Sequence, residues 1–184
     1  MENYLFKSER LGFRDWTEKD KPKMAVINAD SKVMKFFPGI QDKEETEQFI
    51  DRMKHQFSEN GFCYFAVDKL ENNEFIGFIG LTEQNFKSDF TPCVDIGWRL
   101  AQKEWGKGYA TEGAKKCLEL AFKELNLNEV ISICTEKNTR SEKVMKKTGM
   151  EKIGEFVHPK LMEYLQYRKC ICYRINKKMW QQST

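Results

Sequence analysis

The sequence predicts an α/β (α+β) fold, with a mixed, mostly antiparallel central sheet flanked by helices. Three observations carry that prediction. Extended runs at 62–70, 74–83 and 93–100 follow one another, the first two across a short turn. A strand–helix–strand passage comes next, with a helical run at 108–125 between the strands at 93–100 and 130–135. Two more strand-like runs, near 150–157 and 168–176, close the chain. Hairpins give antiparallel pairs and the crossover helix gives a parallel one, hence a mixed sheet. At 184 residues the chain reads as one domain, 1–184, with a real core.

The elements follow in order. Residues 10–16 alternate as a strand, and Thr17-Glu18-Lys19-Asp20 reads as a helix start whose acid is one carbon shorter than usual. Residues 17 to about 36 read as helix in pieces, interrupted by Pro22 and ended by Phe36-Phe37-Pro38-Gly39. The next helix, about 43–58, carries Phe49, Ile50, Met53 and Phe57 on its apolar face and stops at Asn60-Gly61. Its Glu44, Glu45, Glu47, Arg52 and Lys54 form a solvated face. Glu71-Asn72-Asn73 turns the chain between two strands. Helix 108–125 buries Ala110, Ala114, Cys117, Leu118, Ala121, Phe122 and Leu125, and a short helix at 139–148 ends at Gly149.

Composition narrows the function classes. The charge of +3, from 31 basic and 28 acidic residues, is too even to argue for nucleic acid. No apolar run approaches the ~18 residues of a membrane span, and Met1-Glu2-Asn3 does not begin a signal peptide. The expectation is a cytoplasmic protein with no nucleic-acid or membrane partner, a monomer or homodimer. Cys63, Cys93, Cys117 and Cys134 are scattered singly, and the thiols of Cys170-Ile171-Cys172 point to opposite faces of a strand. With no C-x-x-C, and with His55 and His158 as the only histidines, no metal site is expected.

The most informative stretch is Trp105-Gly106-Lys107-Gly108-Tyr109-Ala110-Thr111-Glu112. Two glycines one residue apart let backbone N–H groups turn toward a ligand, and a helix N-terminus follows with further unpaired N–H groups and partial positive charge. Strand, Gly-x-Gly turn and helix start together make a phosphate or pyrophosphate site. The triphosphate loop G-x-x-x-x-G-K-[ST] is absent, and no kinase tripeptide follows. The dinucleotide fingerprint G-x-G-x-x-G fails at Thr111, although Glu129 stands near the right later spacing. That reading also expects its fingerprint at the first strand of a parallel sheet.

Further stretches agree with one family. Gly77-Phe78-Ile79-Gly80-Leu81, Asp95-Ile96-Gly97-Trp98-Arg99-Leu100, the 105–112 loop, Asn138-Thr139-Arg140-Ser141 and Lys147-Thr148-Gly149-Met150 resemble the GCN5-related N-acetyltransferase (GNAT) superfamily, in its ribosomal-protein-alanine acetyltransferase-like branch. The ends Glu9-Arg10-Leu11 and Tyr173-Arg174-Ile175 look alike too, so the resemblance covers nearly the whole chain. It implies the GNAT fold with splayed central strands, and acetyl-CoA as cosubstrate. The family's loop reads [QR]-x-x-G-x-[GA]; here it is Lys103-Glu104-Trp105-Gly106-Lys107-Gly108, with lysine departing at the first position. The resemblance assigns cofactor binding to Lys103, Gly106, Lys107, Gly108, Tyr109, Ala110 and Thr111 at the pyrophosphate. It assigns Trp98, Arg99 and Leu100 to the splayed strand along the pantetheine, and Asn138 and Ser141 to the family's N-x-x-S. Thr139-x-x-Glu142 is also a capping box, so Asn138 and Ser141 alternatively just start a helix.

Acetyl transfer to an amine needs a neutral amine, a polarised thioester carbonyl and a proton for the departing thiolate. Backbone N–H groups near residues 98–100 suit the carbonyl oxygen. Asp95 is the first candidate base, where related sequences commonly carry Glu, so that the shorter acid works through a bridging water. Glu83 and His158 come next. The resemblance implies a tyrosine acid on the helix after N-x-x-S, but this helix offers none, and Ser141 is the proton donor by default, with Tyr173 behind it. The acceptor side is expected from the first helices, the 36–39 loop and the segment 156–167, where Phe36, Phe37, Phe62, Tyr64 and Phe90 either line a groove or belong to the core. The expected activity is direct transfer from acetyl-CoA to a primary amine, the best candidate a peptide α-amine. The alternatives are a small amine (polyamine or antibiotic) and a non-catalytic acetyl-CoA sensor.

Overall fold

The computed structural model describes residues 4–183. Its strands are β1 (Phe6–Lys7), β2 (Leu11–Arg14), β3 (Tyr64–Lys69), β4 (Glu74–Gln84), β5 (Cys93–Leu100), β6 (Glu129–Thr135), β7 (Glu151–Val157) and β8 (Lys169–Asn176). They form one eight-stranded sheet in the order β1-β2-β3-β4-β5-β6-β8-β7. Every neighbouring pair is antiparallel except β5 and β6. The helices are α1 (Asp20–Asn28), α2 (Lys43–Asn60), α3 (Tyr109–Lys123), α4 (Thr139–Lys147) and α5 (Lys177–Ser183). This is the mixed, mostly antiparallel sheet that the strand order predicts.

α3 packs so closely on one face that an added Cβ at Gly113 would come 2.3 Å from Ile79 Cδ1. α2 covers the other face, where Phe49 meets Phe78 at 5.2 Å and Gln56 Oε1 accepts from Thr82 Oγ1 at 2.6 Å. Arg14 ties β2, β3 and α1 together. It donates to Asp68 Oδ2 and Asp20 Oδ2 at 2.7 Å each, with its own side chain 9% exposed. Burial works against its charge, but the two carboxylates outweigh burial and hold the guanidinium's pKa above its usual value.

Several expectations are corrected here. α1 is one short helix rather than pieces to 36, and Pro22 lies in its first turn, where a missing N–H costs nothing. Residues beyond Asp30 form turns that bring Phe37 over Arg99 of β5. Only the acid half of the Thr17–Asp20 box forms: Asp20 accepts from the Thr17 amide at 2.8 Å while also serving Arg14. α4 is capped by Asn138, whose Oδ1 accepts the Ser141 amide at 3.2 Å. The Thr139–Glu142 box does not form, because Glu142 is taken by Tyr173 and Lys146. β1 and α5 lie outside the predicted elements.

Candidate active site

The parallel junction of β5 and β6 opens the sheet. β5 matches β4 at every position from Gln84↔Cys93 to Gly77↔Leu100, but meets β6 only at Asp95↔Ile131. Beyond that point the strands splay. The ladder that sends the Ala101 amide to Ile76 O alternates along β5, and so turns the N–H and C=O of Ile96, Trp98 and Leu100 toward the gap. Ser132 Oγ donates to Ile96 O at 2.9 Å and Trp105 Nε1 to Leu100 O at 2.9 Å. Trp98 lies between them with its peptide groups facing the gap. A cleft of about 290 Å³ runs through it, lined by Trp98, Ser132, Thr135, Asn138 and Ser141 on one side and Phe36, Phe37, Tyr64, Phe78 and Arg99 on the other.

At the cofactor end, Gly106 and Gly108 have φ of +77° and +86°, conformations that side-chain-bearing residues rarely adopt. An added Cβ at Gly106 would meet nothing within 4 Å. The first ladder bond of α3 is Glu112 N–H to Gly108 O, at 3.0 Å, so the amides of Tyr109, Ala110 and Thr111 begin the helix without carbonyl partners. Arg10 braces this turn from β2's leading edge. It donates to Glu112 Oε2 at 2.7 Å and to Lys107 O at 3.1 Å, and lies over the Tyr109 ring. Sequence reasoning placed Arg10 in the first strand and in the family-like stretch Glu9-Arg10-Leu11, but gave it no role at the cofactor turn. Both loop lysines have partners: Lys103 is paired with Glu74, and Lys107 with Glu104 at 2.9 Å.

At the other end, Asp95 is 7% exposed and accepts from the Tyr64 hydroxyl. Its Oδ1 is buried without a hydrogen-bond partner. Burial pushes its pKa up to about 7, and the Tyr64 hydroxyl and the Ile133 amide offset part of that rise. Burial, reinforced by the neighbouring carboxylate, keeps Tyr64 protonated well above the usual phenol value. Sequence reasoning left Tyr64 between groove and core. The missed signal was the pair of glycines on β4 and β5, since an added Cβ at Gly97 would come 2.9 Å from Tyr64 Oη.

The structure does not bring every expected residue here. Glu83 is exposed, one position along β4 from Thr82, which pairs with Asp95, and so faces the opposite side of the sheet from it. The Tyr173 hydroxyl donates to Glu142 Oε1 at 2.7 Å, away from the cleft. Arg99 does not face the pantetheine gap: its backbone pairs with Phe78 of β4, and its side chain runs to the α1 side. Leu100 buries its side chain in the core, and only its backbone faces the gap. Ser141 lines the cleft. His158 also lines it, packed on Phe86 at 4.3 Å, its Nδ1 accepting the Lys160 amide and its pKa lowered by burial. Phe62 is core, and Phe90 packs on Phe156. Burial pushes the cleft thiols Cys134 and Cys170 up to about 12 and about 11, which makes them poor nucleophiles.

A sheet that splays after one parallel pair, beside a Gly-x-Gly helix start, is the arrangement expected from the resemblance to acetyltransferases. The acetyltransferase (GNAT) domain family matches residues 10–151, and the chain belongs to that family. It is accordingly an N-acetyltransferase that uses acetyl-CoA and acts on an amine. The chain is 33% identical over 150 residues to the N-acetyltransferase YnaD of Bacillus subtilis, covering 81% of this chain and 84% of that one. A GNAT-family acetyltransferase of Bacillus anthracis superposes with a TM-score of 0.77 at 30% identity, over 94% of this chain and 98% of its own. The spermidine N-acetyltransferase of Vibrio cholerae, solved with CoA and spermine, shares the fold at 19% identity and a TM-score of 0.73, over 93% and 98% of the two chains. The residues present suit CoA: open space over Gly106, unpartnered amides at the start of α3, and Thr135 Oγ1 buried in the cleft wall without a partner.

Proposed function

We propose that the chain acts as one acetyltransferase domain and passes acetyl directly to the amine in a ternary complex, the acceptor being a peptide α-amine. Acetyl-CoA supplies the acetyl thioester. The amides of Gly106, Gly108, Tyr109, Ala110 and Thr111 hold its pyrophosphate, Trp98 pairs with the pantetheine as an added strand would, and Asn138 borders that arm. The Trp98 amide polarises the thioester carbonyl. Asp95 accepts the ammonium proton, through water, and Ser141 Oγ passes its proton to the departing sulfur while taking the second proton that the nitrogen releases as the amide forms.

The observation that carries this reading is the buried Asp95, bonded to Tyr64 where the strands part. With its pKa near about 7, it nearly matches an α-ammonium, at about 8, whereas an alkyl ammonium near ~10 is a much harder proton to remove. Asp95 is also the only carboxylate lining the cleft among the described residues, which argues against a polycationic acceptor.

The test is thermal stabilisation by acetyl-CoA, with NAD and ATP alongside, followed by thiol release with peptide and small-amine panels. Acetyl-CoA at 100 times its Kd should add about 2.7 kcal/mol. Peptides should release thiol and polyamines should not; turnover of polyamines alone would refute the α-amine assignment.

A further inference from the structure

Buried Arg14 and half-buried Arg99 are treated in opposite ways in this chain. Arg14 is neutralised by Asp20 and Asp68. Arg99 lies at the acceptor end of the cleft and has no carboxylate partner among the described residues. Its Nη1 donates to two neutral amide oxygens, Asn28 Oδ1 at 2.7 Å and Gln41 Oε1 at 3.1 Å. Phe37 lies 4.4 Å from the guanidinium carbon and Phe78 lies 5.5 Å from it. Nε is buried with no hydrogen-bond partner.

A guanidinium fixed by amides on one nitrogen and flanked by rings keeps its orientation, while its charge stays uncompensated. Nε is enclosed, so the nitrogen left to meet a carboxylate from the cleft is Nη2, which has no acceptor among the described residues. Burial lowers the pKa of Arg99 to about 10, as expected of a cation without a counter-charge, yet it stays charged at neutral pH. Asp95 and Arg99 share one face of β5, four residues and so about 13 Å apart at their Cα atoms, with side-chain-free Gly97 between them.

We propose that Arg99 receives a carboxylate of the acceptor, so that the enzyme selects α-amines carrying an acidic group several bonds from the nitrogen. This rests on the α-amine reading above and names its substrate class: a peptide with Asp or Glu at its N-terminus, or a free dicarboxylic amino acid. A polyamine would bring positive charge to Arg99 and find no partner there.

The experiment compares peptides that differ only by Glu or Gln at their first two positions, and free glutamate against glutamine, with the wild-type enzyme and with Arg99→Gln. The wild type should favour the acid of each pair by roughly 10- to 100-fold in kcat/KM. Arg99→Gln should lose that preference through KM, leave the KM for acetyl-CoA unchanged, and regain part of the preference as Arg99→Lys. Whichever pair shows the effect tells peptide from free amino acid. Equal use of acid and amide, or a preference that survives Arg99→Gln, overturns the proposal. If no acceptor releases thiol although acetyl-CoA binds, the α-amine reading fails. The carboxylate site is then read by the Arg99 Nε–H NMR signal, assigned by its loss in Arg99→Gln. It should shift on titration with glutarate in the presence of CoA, and no shift refutes the site.

Discussion

Replacing Asp95 by Asn should slow the enzyme and stabilise the protein together, and the second effect depends on pH. The carboxyl is 7% exposed and its pKa rises from an ordinary 3.8 to about 7. Between those values the unfolded chain has already released a proton that the folded chain still holds, so stability falls as pH rises from about 4 and levels off above about 7. The whole penalty is about 4 kcal/mol at 1.36 kcal/mol per pH unit, of which about 3 kcal/mol accrues between pH 5 and pH 8.5. Asparagine keeps an acceptor for the Tyr64 hydroxyl but carries no charge to bury. Urea unfolding should therefore show the stability of Asp95→Asn relative to wild type rising by about 3 kcal/mol from pH 5 to pH 8.5. Thiol-release assays should show kcat falling by about 10²–10⁴-fold, with the acid limb of the wild-type profile, near pH 7, abolished. A stability difference that is the same at both pH values would refute the buried ionisation. An unchanged kcat and pH profile would refute the base.

Three further outcomes are expected. Tyr64→Phe removes a hydrogen bond that lowers the Asp95 pKa, so the acid limb of the kcat/KM profile should move to higher pH; a limb that stays or moves down contradicts the pairing. Gly108→Asp puts a carboxylate at the pyrophosphate turn, at φ +86°, and should abolish stabilisation by CoA while circular dichroism reports an intact fold; retained CoA binding would sink the loop assignment. Arg14→Leu takes the guanidinium away from buried Asp20 and Asp68 and should cost about 3–5 kcal/mol in urea unfolding at pH 7, a loss that shrinks in acid as Asp20, whose pKa Arg14 holds down against burial, takes up a proton.

The sequence by itself determined whatever is written in contiguous residues. Alternation and 3.6-residue periodicity marked most strands and helices, because one buried face imposes its period on the chain. Gly106 and Gly108 were legible because a left-handed turn before a helix start asks for glycine at those positions. Asp95 and Ser141 stood inside recognisable runs. The short β1 and the closing α5 escaped, since they are held by neighbours rather than by a period of their own: Phe6 stacks on Phe13 at 4.5 Å, and Trp180 packs tilted on Phe122 at 5.5 Å. Tertiary structure alone decided which side chains share the cleft. The Tyr64–Asp95 and Arg99–Asn28 contacts join residues 31 and 71 positions apart, through the register of neighbouring strands and the packing of a helix. That register set Glu83 on the far side of the sheet from Asp95, and turned Arg99 from the cofactor to the acceptor, because a strand side chain's face is fixed by pairing and not by its place in a motif.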